Sequence, residues 1–124
     1  MKKLNLYIFI ITILLETANH CIASDFIKGF EDIPLMKGLS QNDNDSFSFS
    51  NEETSLIDVN LTAKKNISFE KIKNFYKESL TQMGWNLKHS SNETLSFYRE
   101  NNILDIQKTQ NSPIKINISL KNRY

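Results

Sequence analysis

One cysteine, two histidines, two prolines and three glycines are all that these 124 residues hold of the types that most often build chemistry or tight turns. A lone thiol, Cys21, cannot close a disulfide within the chain. Two histidines without a cysteine cluster fall short of the usual zinc ligand set. Gly29, Gly38 and Gly84 are too scattered to form a Gly-rich phosphate cradle. No G-x-S-x-G nucleophile elbow occurs. Charge is nearly balanced, with 15 Lys+Arg against 14 Asp+Glu, so the strongly basic field that draws a protein onto nucleic acid is missing too. These absences lead to a reading without cofactor, metal or nucleic-acid partner.

Long apolar runs are also scarce. The one present, Leu4 to Leu15, is broken only by Asn5 and Thr12 and follows Lys2 and Lys3. It is short of the roughly 20 apolar residues that a membrane-crossing helix needs. With Glu16, Asn19 and His20 behind it and small residues next, it reads as a secretory signal peptide over residues 1–23, cleaved between Ala23 and Ser24. Export to a bacterial periplasm or beyond is expected, with an uncleaved N-terminal membrane anchor as the alternative. Lipidation of Cys21 is the lesser reading, because Ala18, Asn19 and His20 make a poor lipobox. Membrane contact is expected only if the segment is retained or Cys21 is lipidated. Cleavage removes the only thiol and one of the two histidines, leaving 101 residues with 13 bases and 13 acids. Packing alone must then stabilise a chain long enough for one small core.

Residues 24–45 read as an extended, irregular segment and 46–124 as a single α+β domain. Pro34 pushes Ile33 toward extended geometry, and the segment is too apolar for a solvated tail. It is expected to lie extended across a core, with an exposed strap that grips a partner as the alternative. Ser46 to Ser50 and Leu56 to Ala63 alternate with period two and predict a hairpin through Asn51–Thr54. Ser68 is a good N-cap, and Ile67 and Ile72 stand in the places of a hydrophobic staple. Phe69, Ile72, Phe75, Tyr76, Leu80 and Met83 then share one face of a helix over about 68–83, with Lys71, Lys73, Lys77 and Glu78 pointing elsewhere. Gly84 is placed to end it. Period two returns in Trp85–Lys88, Thr94–Glu100, Ile103–Lys108 and Ile114–Leu120, with a turn expected at Asn101-Asn102. The order is ββαβββ or ββαββββ: an antiparallel sheet with one amphipathic helix packed on one face.

Few residues invite catalysis. His89 stands beside Ser90 and Ser91, but lacks the scaffold of a nucleophilic triad. Asp43-Asn44-Asp45 opens like a calcium loop, yet Ser48 and Thr54 occupy the places that need Gly and Glu. Glu31-Asp32 and Glu52-Glu53 are adjacent pairs, which point to opposite faces in a strand. Residues 24–58 hold eight acids and two lysines, and residues 59–124 eleven bases and five acids. Two such halves neutralise each other when they fold together. The Asn-X-Ser/Thr sequons at Asn44, Asn60, Asn66, Asn92 and Asn117 carry no meaning in bacterial export.

Gly29-Phe30-Glu31-Asp32-Ile33-Pro34-Leu35-Met36-Lys37-Gly38-Leu39 and the helix Phe75-Tyr76 through Leu80 to Met83-Gly84-Trp85 resemble two segments of a group of small exported, chiefly alphaproteobacterial, proteins of unknown function. Lys37 departs from that group's commoner Pro. The helix-Gly-Trp-strand pattern is also loosely similar to the small domains of outer-membrane assembly lipoproteins, which act through protein contacts. The resemblance implies a non-enzymatic accessory or protein-binding domain of the envelope and transfers no catalytic residue. Phe30, Ile33, Leu35, Met36 and Leu39 are the candidate contacts for an envelope protein partner, and an open sheet edge is a second route. The alternative is a small enzyme or apolar-ligand carrier with a pocket between helix and sheet, lined by Phe75, Tyr76, Trp85 and Tyr98.

Overall fold

The computed structural model describes residues 25–30 and 32–123. The segment expected to be a signal peptide, its expected cleavage point at Ala23–Ser24 and Cys21 lie outside the described residues. Within them the chain runs β1 (Leu39–Gln41), β2 (Phe47–Ser50), β3 (Thr54–Ala63), α1 (Phe69–Gln82), β4 (Asn86–Ser90), β5 (Thr94–Arg99), β6 (Asn102–Asn111) and β7 (Ile114–Arg123). This is the expected α+β fold with one helix on an antiparallel sheet. The strands order β1-β3-β7-β6-β5-β4, and β2 shares the outer side of β3 with β1. The C-terminal strand β7 is therefore central, paired with β3 from Thr54↔Arg123 to Thr62↔Lys115.

The helix forms as its end signals dictate. The Ser68 hydroxyl accepts from the Lys71 amide at 3.1 Å, and Ile67 and Ile72 are both buried. At the far end the amides of Gly84 and Trp85 donate to the carbonyls of Thr81 and Leu80 at 3.2 and 3.0 Å. That is a Schellman closure, made possible by Gly84 at φ +88°. Phe69, Ile72, Tyr76 and Leu80 face the core, Phe75 is half-buried against it and Met83 turns to solvent. Lys73 departs from the expected outward placement. Its stem is buried, and its ammonium bonds the Ser91 carbonyl at 3.0 Å and Glu70 at 2.9 Å while lying 5.7 Å from the Phe69 ring centre. A lysine can bury its methylenes provided that the charged end keeps partners. Lys73, as a bonded neighbour and as a charge, holds the Glu70 carboxyl below the usual range.

One helix cannot cover this sheet. Six strands abreast span about 24 Å at a spacing of about 4.8 Å, whereas a helix is about 10 Å wide. Residues 25–39 cover the rest. Ile27, Phe30, Ile33, Met36 and Leu39 are buried in the same core as Val59, Leu61, Leu95, Phe97, Leu104, Ile106, Ile116 and Ile118. The segment is looped rather than merely extended: a bridge joins Phe26 to Pro34, and the Ile27 amide donates to the Ile33 carbonyl at 2.9 Å. Leu39–Gln41, expected to be irregular, pairs with β3 as β1. Gly38 lies at φ +96°, where an added Cβ would come within 2.1 Å of the Ile67 side chain.

Two polar contacts tie this cover down. The Tyr76 hydroxyl, fully buried, donates to the Pro34 carbonyl at 2.9 Å. The Arg99 guanidinium gathers both segments that carry the resemblance: it bonds Asp32 at 2.6 Å and the Met83 carbonyl at 3.1 Å, and lies 4.4 Å from the Trp85 ring centre. Trp85 Nε1 is buried without a hydrogen-bond partner; the stacked guanidinium, a donor only, attracts the ring face and leaves that N–H unpaired.

Tyr76→Phe should cost about 1–2 kcal/mol in urea unfolding, since the Pro34 carbonyl is left unpaired. Burial pushes the Tyr76 phenol well above its ordinary range, with the Met36 backbone opposing this only in part. A raised acid favours the folded state while the unfolded phenol stays protonated. Stability from Tyr76 should hold below its ordinary value of 10.0 and fall as pH rises above it, a loss absent from Tyr76→Phe. Arg99→Ala should cost about 1–2 kcal/mol, because a stacking contact and a carbonyl bond go together. Asp32→Asn should cost under about 1 kcal/mol, because that ion pair is partly solvated. Urea midpoints compare the two.

Candidate functional site

Both sequence-derived candidate sets dissolve in the fold. Phe30, Ile33, Met36 and Leu39 are buried and Leu35 is half-buried, so the segment is a layer of the core and not an exposed strap. Its apolar residues cover sheet that the helix leaves bare. Of the four pocket candidates, three belong to the packed core and the fourth stands apart from them. Tyr76 and Trp85 are packed in the core, Phe75 is half-buried beside Tyr76 in an edge-on ring contact, and Tyr98 lies on the opposite side of the sheet. Alternation along β5 sends Leu95 and Phe97 inward and Tyr98 outward.

Three of the six large apolar side chains left exposed among the described residues, Phe47, Phe49 and Tyr98, lie on the side of the sheet without the helix; Phe26, Met83 and Leu87 are the others. Phe47, Phe49 and Tyr98 are 57%, 49% and 46% exposed. Register places them in order. Phe49 lies opposite Leu56, Leu56 opposite Lys121, Lys121 opposite Ile103, and Ile103 opposite Tyr98. Directly opposed residues project from the same face, so an apolar row interrupted by one lysine crosses the sheet from β2 to β5. Phe47 begins the next row, Phe47–Asp58–Ser119–Asp105–Ser96–His89. Beyond that the face is polar: Asn117 Nδ2 donates to Asp58 and, at 3.0 Å, to Asn60.

At the β5–β6 end the row opens into a groove of about 450 Å³ lined by Tyr98, Ile103, Lys88, Glu100 and Arg123. Glu100 and Asn101 form the hairpin loop between the paired Arg99 and Asn102, one residue earlier than the Asn101-Asn102 turn that the sequence predicts. Glu100 lies at φ +55°, the left-handed region that disfavours a residue with a side chain. The two-residue hairpin loop itself requires this conformation at its first position.

His89 makes no nucleophilic arrangement. Ser90 points to the opposite face of β4, and the Ser91 hydroxyl is bonded to Thr94 at 2.6 Å. Ser96, directly opposite His89, gives its hydroxyl proton to Asp105. A triad needs the imidazole between serine and carboxylate, and here the serine stands between the other two. Among the described residues no three His, Cys, Asp or Glu side chains gather closely enough to hold a metal, and no helix is long and apolar enough to cross a membrane. No protein-family model matches this chain, and no curated protein or solved structure matches it either.

Phe47, Phe49, Leu56, Ile103 and the groove residues Lys88, Glu100 and Arg123 are absent from the sequence-derived sites. A signal for part of them exists. Leu56-Ile57, Phe97-Tyr98 and Ile103-Leu104 are adjacent apolar pairs, and adjacent strand residues face opposite ways. Each pair therefore sends one apolar side chain to the face that the helix does not cover. Glu100→Gly should stabilise the chain by about 0.5–1 kcal/mol by relieving the left-handed strain, read as a raised urea midpoint.

Proposed function

We propose that this chain is an exported, non-enzymatic accessory domain that binds another polypeptide through the helix-free face of its sheet. The observation that carries this reading is the row that runs from exposed Phe49 through half-buried Leu56, Lys121 and half-buried Ile103 to exposed Tyr98, with exposed Phe47 beside it. Water-exposed aromatic side chains aligned on a rigid sheet serve no core, and aromatic anchors are what interfaces use most. Export rests on the charged, apolar and small-residue succession of residues 1–24, and the resemblance to small exported envelope proteins agrees with it. A carrier with its ligand between helix and sheet has less support, because that interface is occupied by Tyr76, Trp85 and the residues 25–39.

A photoreactive residue at Phe49 or Tyr98 should form adducts with one envelope protein in the cell that makes this chain, and one at Lys71 on the solvent side of the helix should not. Phe49→Ser with Tyr98→Ser should lower capture of that protein at least about tenfold, as loss of two interface anchors does, with the urea midpoint nearly unchanged. The purified chain should begin at Ser24 by mass. Equal adducts from Lys71, or a chain retained in the cytoplasm with Met1 in place, would sink the reading.

A further inference from the structure

The two outer edges of the sheet are not alike. On β4 the pairing slips between Leu87 and His89, leaving Lys88 as an extra, exposed residue. A bulge and a lysine are devices that keep an edge from recruiting another strand. On β2 there is neither. Phe47-Ser48-Phe49-Ser50 pairs with β3 in unbroken register, all four residues are exposed, and among the described residues no strand lies on its other side. The Asn51 amide donates to the Thr54 carbonyl at 2.9 Å, closing the turn, whose Glu53 and Thr54 amides donate to Asn51 Oδ1 at 2.9 and 2.7 Å. Hydrogen-bonded pairs alternate in an antiparallel ladder. Counting back from Asn51, Phe49 and Phe47 bond inward to β3, and the amides and carbonyls of Ser48 and Ser50 face the free edge.

Charge says what can use it. The strand itself is neutral, and Asp45, Glu52 and Glu53 stand exposed at its two ends; the bases that come nearest are Lys28, beside Ser46–Ser48, and Lys121 and Arg123 of β7, beside Glu53 and two strands in from the β2 edge. Among the described residues no ion pair neutralises these three acids. A second copy pairing antiparallel with Phe49 opposite Phe49 would bring Asp45 of each toward Glu53 of the other, so like charges oppose self-association twice over. A partner strand with lysine or arginine at its ends meets attraction at the same places.

We infer that the β2 edge accepts an extended segment of a partner polypeptide that alternates apolar and polar residues and carries basic residues at both ends. This rests on the polypeptide-binding reading and names the segment that it would take. The added strand continues the sheet through Ser48 and Ser50, its apolar side chains fall beside Phe47 and Phe49, and its end charges pair with Asp45 and with Glu52 and Glu53.

The probe is a nine-residue peptide of alternating valine and threonine with lysines at both ends, compared with a glutamate-ended counterpart, titrated into the isotope-labelled full chain. The lysine-ended peptide should shift the Ser48 and Ser50 amides and bind about tenfold tighter than its counterpart at low salt, a preference that shrinks at about 1 M salt. Ser48→Pro, which removes an edge donor without breaking a bond to β3, should abolish the shifts with the rest of the spectrum intact. Glu52→Lys with Glu53→Lys, both in a solvated turn, should reverse the preference. Equal binding by the two peptides, shifts on β4, or a concentration-dependent dimer through β2 would overturn the inference. Shifts confined to Tyr98 and Ile103 would overturn the edge while leaving the face reading standing. Peptide shifts nowhere, together with no adducts from Phe49 or Tyr98, would defeat both.

Discussion

The bond from the Tyr76 hydroxyl to the Pro34 carbonyl joins the two pieces that together close the apolar face of the sheet. Neither piece suffices alone. The helix leaves a large part of a six-strand-wide face uncovered, and residues 25–39 have too little regular structure to hold a position without something to grip. Tyr76 supplies the grip from the middle of the helix, where its ring is core and its hydroxyl reaches the loop. Arg99 makes the second attachment at the far end, stacked on Trp85 and bonded to Asp32 and the Met83 carbonyl. Phe30, Asp32, Ile33, Pro34 and Met36 are thus tied to Met83 and Trp85 in one packing arrangement.

A core closed on one side leaves the other side of the sheet free. That free face is not uniformly polar, as a merely solvated face would be. Its apolar row runs from the β2 edge to the groove beside Glu100, while Asp58, Asn60, Asn117, Ser96 and Asp105 make a hydrogen-bonded polar field next to it. The edges repeat the asymmetry, with a bulge and Lys88 on β4 and a flat, neutral β2 flanked by acids. Asp45, Glu52, Glu53 and Asp58 lie at this end for a topological reason: β1, β2 and β3 form one end of the sheet. The basic residues Lys115, Lys121 and Arg123 sit on β7, directly against β3.

Much of the fold was legible along the chain, because its signals are local. Ser68 with Ile67 and Ile72, the spacing of Phe69, Ile72, Tyr76 and Leu80, and Gly84 before Trp85 specify the helix within a residue at either end. Period-two alternation marks β2, β3 and the strands after the helix. The turn at Glu100 is one residue off because Asn is the better left-handed residue, and the pairing of Arg99 with Asn102, set by β5 and β6 together, overrode that preference. Lys73 looked solvent-facing because hydropathy cannot see that Ser91 would arrive to receive its ammonium.

The candidate site was much less legible. That Phe30, Ile33 and Met36 lie across a core was legible from their number in a short segment, but the strap alternative stayed open because nothing local states how wide the sheet is, and that width decides whether they are needed as cover. The sequence by itself determined the element types, the apolar stripe of the helix and the chemistries the chain lacks, since each depends on residues within a few positions of one another. Only the tertiary structure decided that β7 is central, that residues 25–39 are core and that Phe49, Leu56, Ile103 and Tyr98 form one row. Those outcomes depend on the pairing of strands up to about 70 residues apart, as in Thr54↔Arg123, and register between distant strands is written in no local pattern.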